Sequence, residues 1–199
     1  MPKVKNNIVT QGLSGTLGGQ LVFRQTSRGT EVSVAPQAPS GPASAAQTAH
    51  RERFQHAIVY ARGKAHDPAV QAEYADEAKA RNQSISNVLV ADYMHAPDIQ
   101  EVNIEAYTGK VGDLITITAT DDHTVKAVTV RIENGDGSLV EEGPATQQAD
   151  PNQWAYKATA RNATLAGDKL TVTATDNPGH AAIKTRTLKK ILFRTHRRP

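Results

Sequence analysis

The chain has 199 residues, which is enough for one large domain or two small ones, each with its own hydrophobic core. It contains no Cys, so disulfides, thiolate catalysis and Cys-based zinc or iron–sulfur sites are excluded. The net charge of +3 is unevenly spread: residues 1–97 hold ten Lys or Arg and seven Asp or Glu, residues 98–183 hold six and thirteen, and residues 184–199 hold seven and none.

No apolar run approaches the ~20 residues that a membrane-spanning helix needs. The first fifteen residues, MPKVKNNIVTQGLSG, lack the apolar segment of a Sec signal peptide. We therefore predict no membrane insertion. The location is expected to be cytoplasmic, particle-associated or reached by non-classical export, and the sequence does not choose among these.

Residues 5–35 predict a small β-unit. A Gly-rich run at residues 12–19 is expected to turn the chain, and residues 20–25 (QLVFRQ) form a strand. Residues 26–29 (TSRG) predict a hairpin turn, after which residues 30–35 return as the partner strand. Three prolines in the next seven residues (PQAPSGP) then predict an extended connector.

After this connector the apolar period changes to that of a helix. Ser44 is a candidate N-cap for the first helix, and Asp67 followed by Pro68 predicts the start of a second. A third helical segment is ended by Pro97. The apolar positions at helical spacing are Phe54, Ala57, Ile58 and Ala61, then Val70, Tyr74 and Ala78, then Ile85, Val88, Leu89 and Tyr93.

Two stretches in the C-terminal half repeat one another, LITITATDD at residues 114–122 and LTVTATDN at residues 170–177. Strict alternation of apolar residues and Thr predicts strands with one buried and one solvated face, each ending in an acidic turn. Trp154 and Tyr156 are the expected large core residues of this part. Seven strands are predicted, at residues 100–107, 114–120, 125–133, 139–141, 153–160, 169–175 and 182–188.

The C-terminal half resembles the bacterial immunoglobulin-like domains of surface and extracellular proteins. The resemblance rests on residues 171–181 (TVTATDNPGHA) and residues 125–132 (VKAVTVRI). It implies an antiparallel β-sandwich of about 100 residues. It implies almost nothing about a ligand.

The N-terminal half resembles an uncharacterised family of small bacterial proteins. The shared features are a Gly-x-x-Gly hairpin, an Arg-Gly turn after a strand, the Pro-rich connector, and a helix with Ala-Gln and Arg-x-x-Phe. This resemblance implies no activity. The matching residues are Gly12, Gly15, Gly18, Arg28, Gly29, Ala46, Gln47, Arg51 and Phe54.

Together these patterns predict an α+β N-terminal domain, a β-hairpin plus two or three helices, followed by an all-β immunoglobulin-like sandwich. The predicted boundaries are residues 1–97 for the hairpin and helices, residues 98–188 for the sandwich, and residues 189–199 for a basic C-terminal tail.

No arrangement of residues predicts catalysis. The Gly-rich run lacks the Gly-Lys-Ser/Thr ending of a P-loop, and Ser14 does not stand in a Gly-x-Ser-x-Gly turn. The acidic turns at residues 121–122, 134–136 and 176–177 offer oxygen ligands for Ca²⁺, but none has EF-hand spacing, and Asp and Asn are ordinary turn residues. The seven His have no zinc-binding spacing. We therefore predict that the protein is not an enzyme and has no cofactor or metal.

The function predicted from these features is structural, by self-assembly of the chain with copies of itself into a homo-oligomer or filament, extracellular or particle-associated. A sheet of two or three strands is only marginally stable alone. The N-terminal hairpin is therefore expected to pack on the helices or to pair with a sheet edge of another copy by β-augmentation. Its candidate contacts are Leu21, Phe23, Val32 and Val34.

The basic tail supplies the other candidate contacts, Lys189, Lys190, Arg194, Arg197 and Arg198. Docked on the acidic sandwich of the next copy, it would give head-to-tail rings or filaments. Two alternatives remain open. The tail of a phage-particle-associated accessory protein would bind nucleic acid or another anionic surface, with strong salt dependence. A surface adhesion module would instead require export.

Overall fold

The computed structural model describes residues 3–4, 10, 12–26, 29–38 and 41–188. The chain divides into two compact units, Met1–Thr48 and Ala49–Pro199. The domain boundaries predicted after residues 97 and 188 remain predictions. The described part contains three helices and three antiparallel sheets, so the fold is α+β with a β-rich part.

The first unit is built on a four-stranded antiparallel sheet. Pairing of Thr26 with Gly29 confirms the predicted hairpin. Contrary to prediction, part of the Gly-rich run is itself a strand. Gly18 and Gly19 have φ of +58° and +69°, and this left-handed backbone turns the chain back so that the run pairs with the next strand. In the spatial order β1-β4-β3-β2, the strands are β1 (Lys3–Val4), β4 (Gly29–Val34), β3 (Leu21–Thr26) and β2 (Gly15–Leu17).

The three helices are α1 (Ala45–Lys64), α2 (Pro68–Arg81) and α3 (Ile85–Met94). Both predicted N-caps are confirmed: Ser44 Oγ accepts from Gln47 N at 3.2 Å, and Asp67 Oδ1 accepts from Ala69 N at 2.9 Å. Within the described ranges, no helix combines the length and apolar character needed to cross a membrane.

The remaining strands form two further antiparallel sheets in the second unit. The first has the order β5-β6-β10-β9, with β5 (Asp98–Asn103), β6 (Leu114–Thr120), β10 (Gln153–Lys157) and β9 (Thr146–Gln147). The second has the order β12-β11-β7-β8, with β12 (Ala181–Thr187), β11 (Lys169–Thr175), β7 (Ala127–Glu133) and β8 (Leu139–Pro144).

These two sheets share a single hydrophobic cluster, an arrangement compatible with a β-sandwich. The predicted alternation is confirmed, because every second residue of β6, β7 and β11 is fully buried. Trp154 and Tyr156 of β10 lie in the cluster, as predicted. The strand contributions include Ile115, Ile117 and Ala119 from the first sheet and Val128, Val130, Ile132, Leu170, Val172 and Ala174 from the second.

Sequence reasoning was less accurate at the edges of these sheets. Strand β5 begins two residues earlier than predicted, and its register with β6 shifts between Ile99 and Glu101, which marks a bulge. The two-residue strand β9 was not predicted. At the β5 edge of the first sheet, Lys184 of β12 donates from Nζ to the carbonyl oxygens of Ile99 and Gln100, at 2.7 and 2.6 Å.

Candidate functional site

The predicted assembly contacts of the N-terminal hairpin come together on one face of the N-terminal sheet. Residues paired across antiparallel strands point to the same side, and Leu21 pairs with Val34 while Phe23 pairs with Val32. Leu17 of β2 pairs with Leu21 and therefore joins the same face. We call these five residues the apolar sheet face.

Much of the apolar sheet face is open to solvent. Val34 is 74% exposed, Leu17 is 62% exposed and Leu21 is 37% exposed, whereas Phe23 is buried and Val32 is half-buried. A contiguous patch of this kind on a small sheet is typical of an interaction surface. The opposite face is polar where Arg24 pairs with Glu31.

The structure therefore brings Leu21, Phe23, Val32 and Val34 together, as the hairpin pattern predicts, and adds Leu17, which sequence reasoning missed. The signal for Leu17 was its position just before the Gly18–Gly19 turn, opposite Leu21. The predicted tail contacts Lys189, Lys190, Arg194, Arg197 and Arg198 lie outside the described residues.

A second cluster lies in the other unit, where helices α2 and α3 meet the loops at residues 121–126 and 176–180. We call it the helix–sheet junction. The ring of His123 stacks on that of Tyr74, with centroids 3.9 Å apart and 17° between the planes. His123 Nδ1 contacts a carboxylate oxygen of Glu77, and its Nε2 lies 3.7 Å from Glu73 Oε1.

A hydrogen-bonded chain runs through the buried part of the junction. The Tyr74 hydroxyl donates to Asp92 Oδ2 at 2.7 Å, and both residues are almost fully buried. Asn177 Nδ2 donates to Tyr74 Oη at 3.2 Å and to Glu73 Oε1 at 2.6 Å. Burial and the hydrogen bond to Asp92 raise the pKa of Tyr74. Tyr74 is therefore a fixed donor that ties α2, α3 and the β11–β12 loop together.

Two carboxylates in the junction are incompletely paired. Asp92 Oδ1 and Asp121 Oδ2 are both buried and have no hydrogen-bond partner among the described residues. Burial raises the pKa of Asp92, although the hydrogen bond from Tyr74 opposes the shift. Burial, together with the negative charges of Asp92 and Asp176, raises the pKa of Asp121 to about 6. The ionised form of both carboxyls is therefore less favourable in the folded protein than in water.

Two more histidines border the junction. His95, at the end of α3, lies 2.6 Å from Asp122 Oδ2, and this pair is largely exposed. His180 Nδ1 lies 2.9 Å from Asp176 Oδ2, and its ring meets the ring of Tyr93 edge-on at 4.8 Å. His123, His95 and His180 are thus each beside a carboxylate.

Sequence reasoning found no zinc-binding spacing among the seven histidines and missed this cluster. The available signal was the repeat itself, because β6 and β11 both end in Ala-Thr and are followed by an Asp, with a His close behind. The junction gathers the loops at residues 121–126 and 176–180, while the turn at residues 134–136 lies at the other end of β7. In the part of the chain that the structure describes, no group of three His, Asp or Glu has a metal-binding arrangement.

No family model and no curated protein matches the chain. Among solved structures, the chain is similar to the crystal structure of CopC from Methylosinus trichosporium OB3b, with 18% identity and a TM-score of 0.33. That match covers 45% of this chain and 87% of CopC. A TM-score of this size supports no conclusion about fold or function.

Proposed function

We propose that this protein is a non-enzymatic structural subunit that assembles with copies of itself through the apolar sheet face. The observation that carries the proposal is the exposure of Leu17, Leu21 and Val34 on one side of a four-stranded sheet. A self-complementary face needs no other partner, since a two-fold axis brings the same patch of two copies together.

Burial of this face would stabilise such a contact measurably. Fully burying an aliphatic side chain contributes about 1.5–3 kcal/mol. Val34 and Leu17 have most of their surface still open, so each retains much of that free energy for association. Phe23 is buried and Val32 is half-buried, and both lie beside the exposed residues on the same face.

We further propose that the two sheets of the second unit form an immunoglobulin-like sandwich that serves as the rigid body of the subunit. The strand order supports this: β5-β6-β10-β9 corresponds to the A-B-E-D sheet of that fold, and β12-β11-β7 to its G-F-C sheet. Strand β8 would be the additional strand beside C.

The test is sedimentation equilibrium of the full-length protein over a wide concentration range, with Val34→Thr beside the unchanged chain. Thr keeps the shape and strand preference of Val but places a hydroxyl in the contact. A loss of about 1 kcal/mol for each buried Val34 gives about 2 kcal/mol across a two-fold contact, or roughly thirtyfold in Kd.

The matched control is Val111→Thr, the same change at a turn residue of the other unit that is 64% exposed. We expect it to leave association unchanged. A protein that stays monomeric at every concentration overturns the proposed function. If both substitutions weakened association equally, the apolar sheet face would not be the contact.

A further inference from the structure

We propose that the helix–sheet junction is a proton-operated latch, which holds α2 and α3 more tightly against the β6–β7 and β11–β12 loops as the pH falls from about 7.5 to about 5.5. This inference does not depend on self-assembly. It rests on which groups face one another across the junction and on how many of them carry negative charge.

The contacts that cross the junction are mainly between titratable groups. His123 of the β6–β7 loop touches Glu77 and approaches Glu73, both on α2. His95, at the end of α3, approaches Asp122 of the same loop. The stack of His123 on Tyr74 places its imidazole between the helix and the loop, and its side chain is only 12% exposed.

Negative charge dominates the junction. Six carboxylates converge there, and the arginine among these groups is Arg81, which pairs with Glu77 at 2.6 Å. The buried Oδ1 of Asp92 and Oδ2 of Asp121 have no hydrogen-bond partner among the described residues. The negative charges of Asp92 and Asp176 raise the pKa of Asp121, after its burial. By element, the facing groups are Tyr60 on α1; Glu73, Tyr74, Glu77 and Arg81 on α2; Asp92 and Tyr93 on α3 with His95 after it; Asp121, Asp122 and His123 on the β6–β7 loop; and Asp176 and His180 on the β11–β12 loop.

Proton uptake by the buried carboxyls relieves the repulsion between these charges. A proton on Asp121 removes one negative charge beside Asp92 and Asp176. Because the pKa of Asp121 is raised in the closed junction, the closed form binds protons more strongly than the open form. The stabilising contribution is therefore present at low pH and is lost as the pH rises through about 6.

Asp121 sets a scale for the effect. With a pKa of about 6 when closed and the ordinary 3.8 when open, this carboxyl makes the opening equilibrium at most about fourfold larger at pH 7.5 than at pH 5.5. Solvent reaching the exposed part of the loop lowers that ceiling. Asp92, whose pKa is also raised by burial, shifts the equilibrium in the same direction.

The experiment is hydrogen exchange of the full-length protein at the two pH values, with the intrinsic exchange rates divided out. The expected result is at least a twofold greater protection of α2 and α3 amides at the lower pH, while β7 and β11 amides show no matching change. Equal protection at both pH values, or greater protection at pH 7.5, overturns the latch.

Asp121→Asn tests the assignment to this carboxyl. Asn keeps the acceptor for Asp122 N, which Asp121 Oδ1 holds at 2.8 Å, but cannot ionise. Its α2 and α3 protection should be higher at pH 7.5 and vary less with pH. The matched control is Asp150→Asn, since Asp150 Oδ1 likewise accepts a following backbone N–H, from Asn152 at 2.9 Å, in an exposed turn. A pH response of Asp121→Asn equal to that of Asp150→Asn would exclude Asp121 as a sensing group.

Discussion

Replacing Tyr74 by Phe removes one oxygen from the helix–sheet junction and keeps the ring that stacks on His123. The hydroxyl is the hydrogen-bond donor to Asp92 Oδ2, and Asp92 Oδ1 has no partner among the described residues. In Tyr74→Phe, the Asp92 carboxylate would therefore be buried without the hydrogen bond that now opposes its raised pKa. Asn177 loses less, because its amide still donates to Glu73 at 2.6 Å.

The size of the effect follows from the acceptor's charge. A buried hydrogen bond to an ionised group contributes about 1.5–3 kcal/mol, and a bond to a neutral group about 1 kcal/mol. We therefore expect Tyr74→Phe to lower the free energy of unfolding by about 2–3 kcal/mol at pH 7.5. Near pH 4.5, where more of the Asp92 carboxyl is protonated in the folded protein, the loss should fall towards about 1 kcal/mol.

The assay is urea unfolding at both pH values, followed by circular dichroism for the helices and by fluorescence of Trp154 for the sheets. Trp154 is the only Trp and lies in the shared hydrophobic cluster, so its emission reports on that core. Asp92→Asn in the Tyr74→Phe background should recover part of the loss at pH 7.5, since it removes the unpaired charge. A loss below about 0.5 kcal/mol, or an equal loss at both pH values, would refute this account of the junction.

Two other substitutions test the sheets. Gly109→Ala should lower the free energy of unfolding by more than about 2 kcal/mol, because φ is +86° and a Cβ would lie 2.5 Å from Asn162 O. Gly137 has the same φ but open space around it, so Gly137→Ala should lower that free energy by only about 1 kcal/mol, as measured by thermal unfolding. Similar melting temperatures for the two variants would contradict the steric argument. Lys184→Met should cost about 1–2 kcal/mol, because two carbonyl oxygens lose a charged donor, and should raise light scattering on incubation; an unchanged melting temperature would mean that those bonds contribute little.

The strands that follow an unbroken alternation were predictable from sequence. Residues 114–120 and 169–175 were predicted as strands and are β6 and β11 with the same bounds. In both, one face is fully buried, so the hydrophobic pattern alone specifies the strand and its register. The N-caps of α1 and α2 were predictable for a similar reason, because a short polar side chain before the helix satisfies a free N–H group.

The elements that sequence reasoning missed depend on contacts between distant segments. Strand β9 has only two residues, and the bulge at Gln100 is defined by pairing with β6 rather than by local sequence. The junction was missed for the same reason. His123 and Asp92 are 31 positions apart. The Ala-Thr-Asp repeat marks the loop of His123, but no local pattern marks Asp92 as its neighbour. Their significance arises only when α3 packs beside the β6–β7 loop.

Lys184 also bears on how the molecule can grow. It pairs with the buried Val172 of β11, so the side chain of Lys184 points inward from an edge strand. Its ammonium group donates hydrogen bonds to two carbonyl oxygens of β5. A foreign strand that added to β12 would have to bury or displace that charge, which makes this margin a poor template. If the apolar sheet face is the sole surface for self-association, each subunit can bind one other copy. Two copies would then satisfy it, and a filament would require a second, different contact.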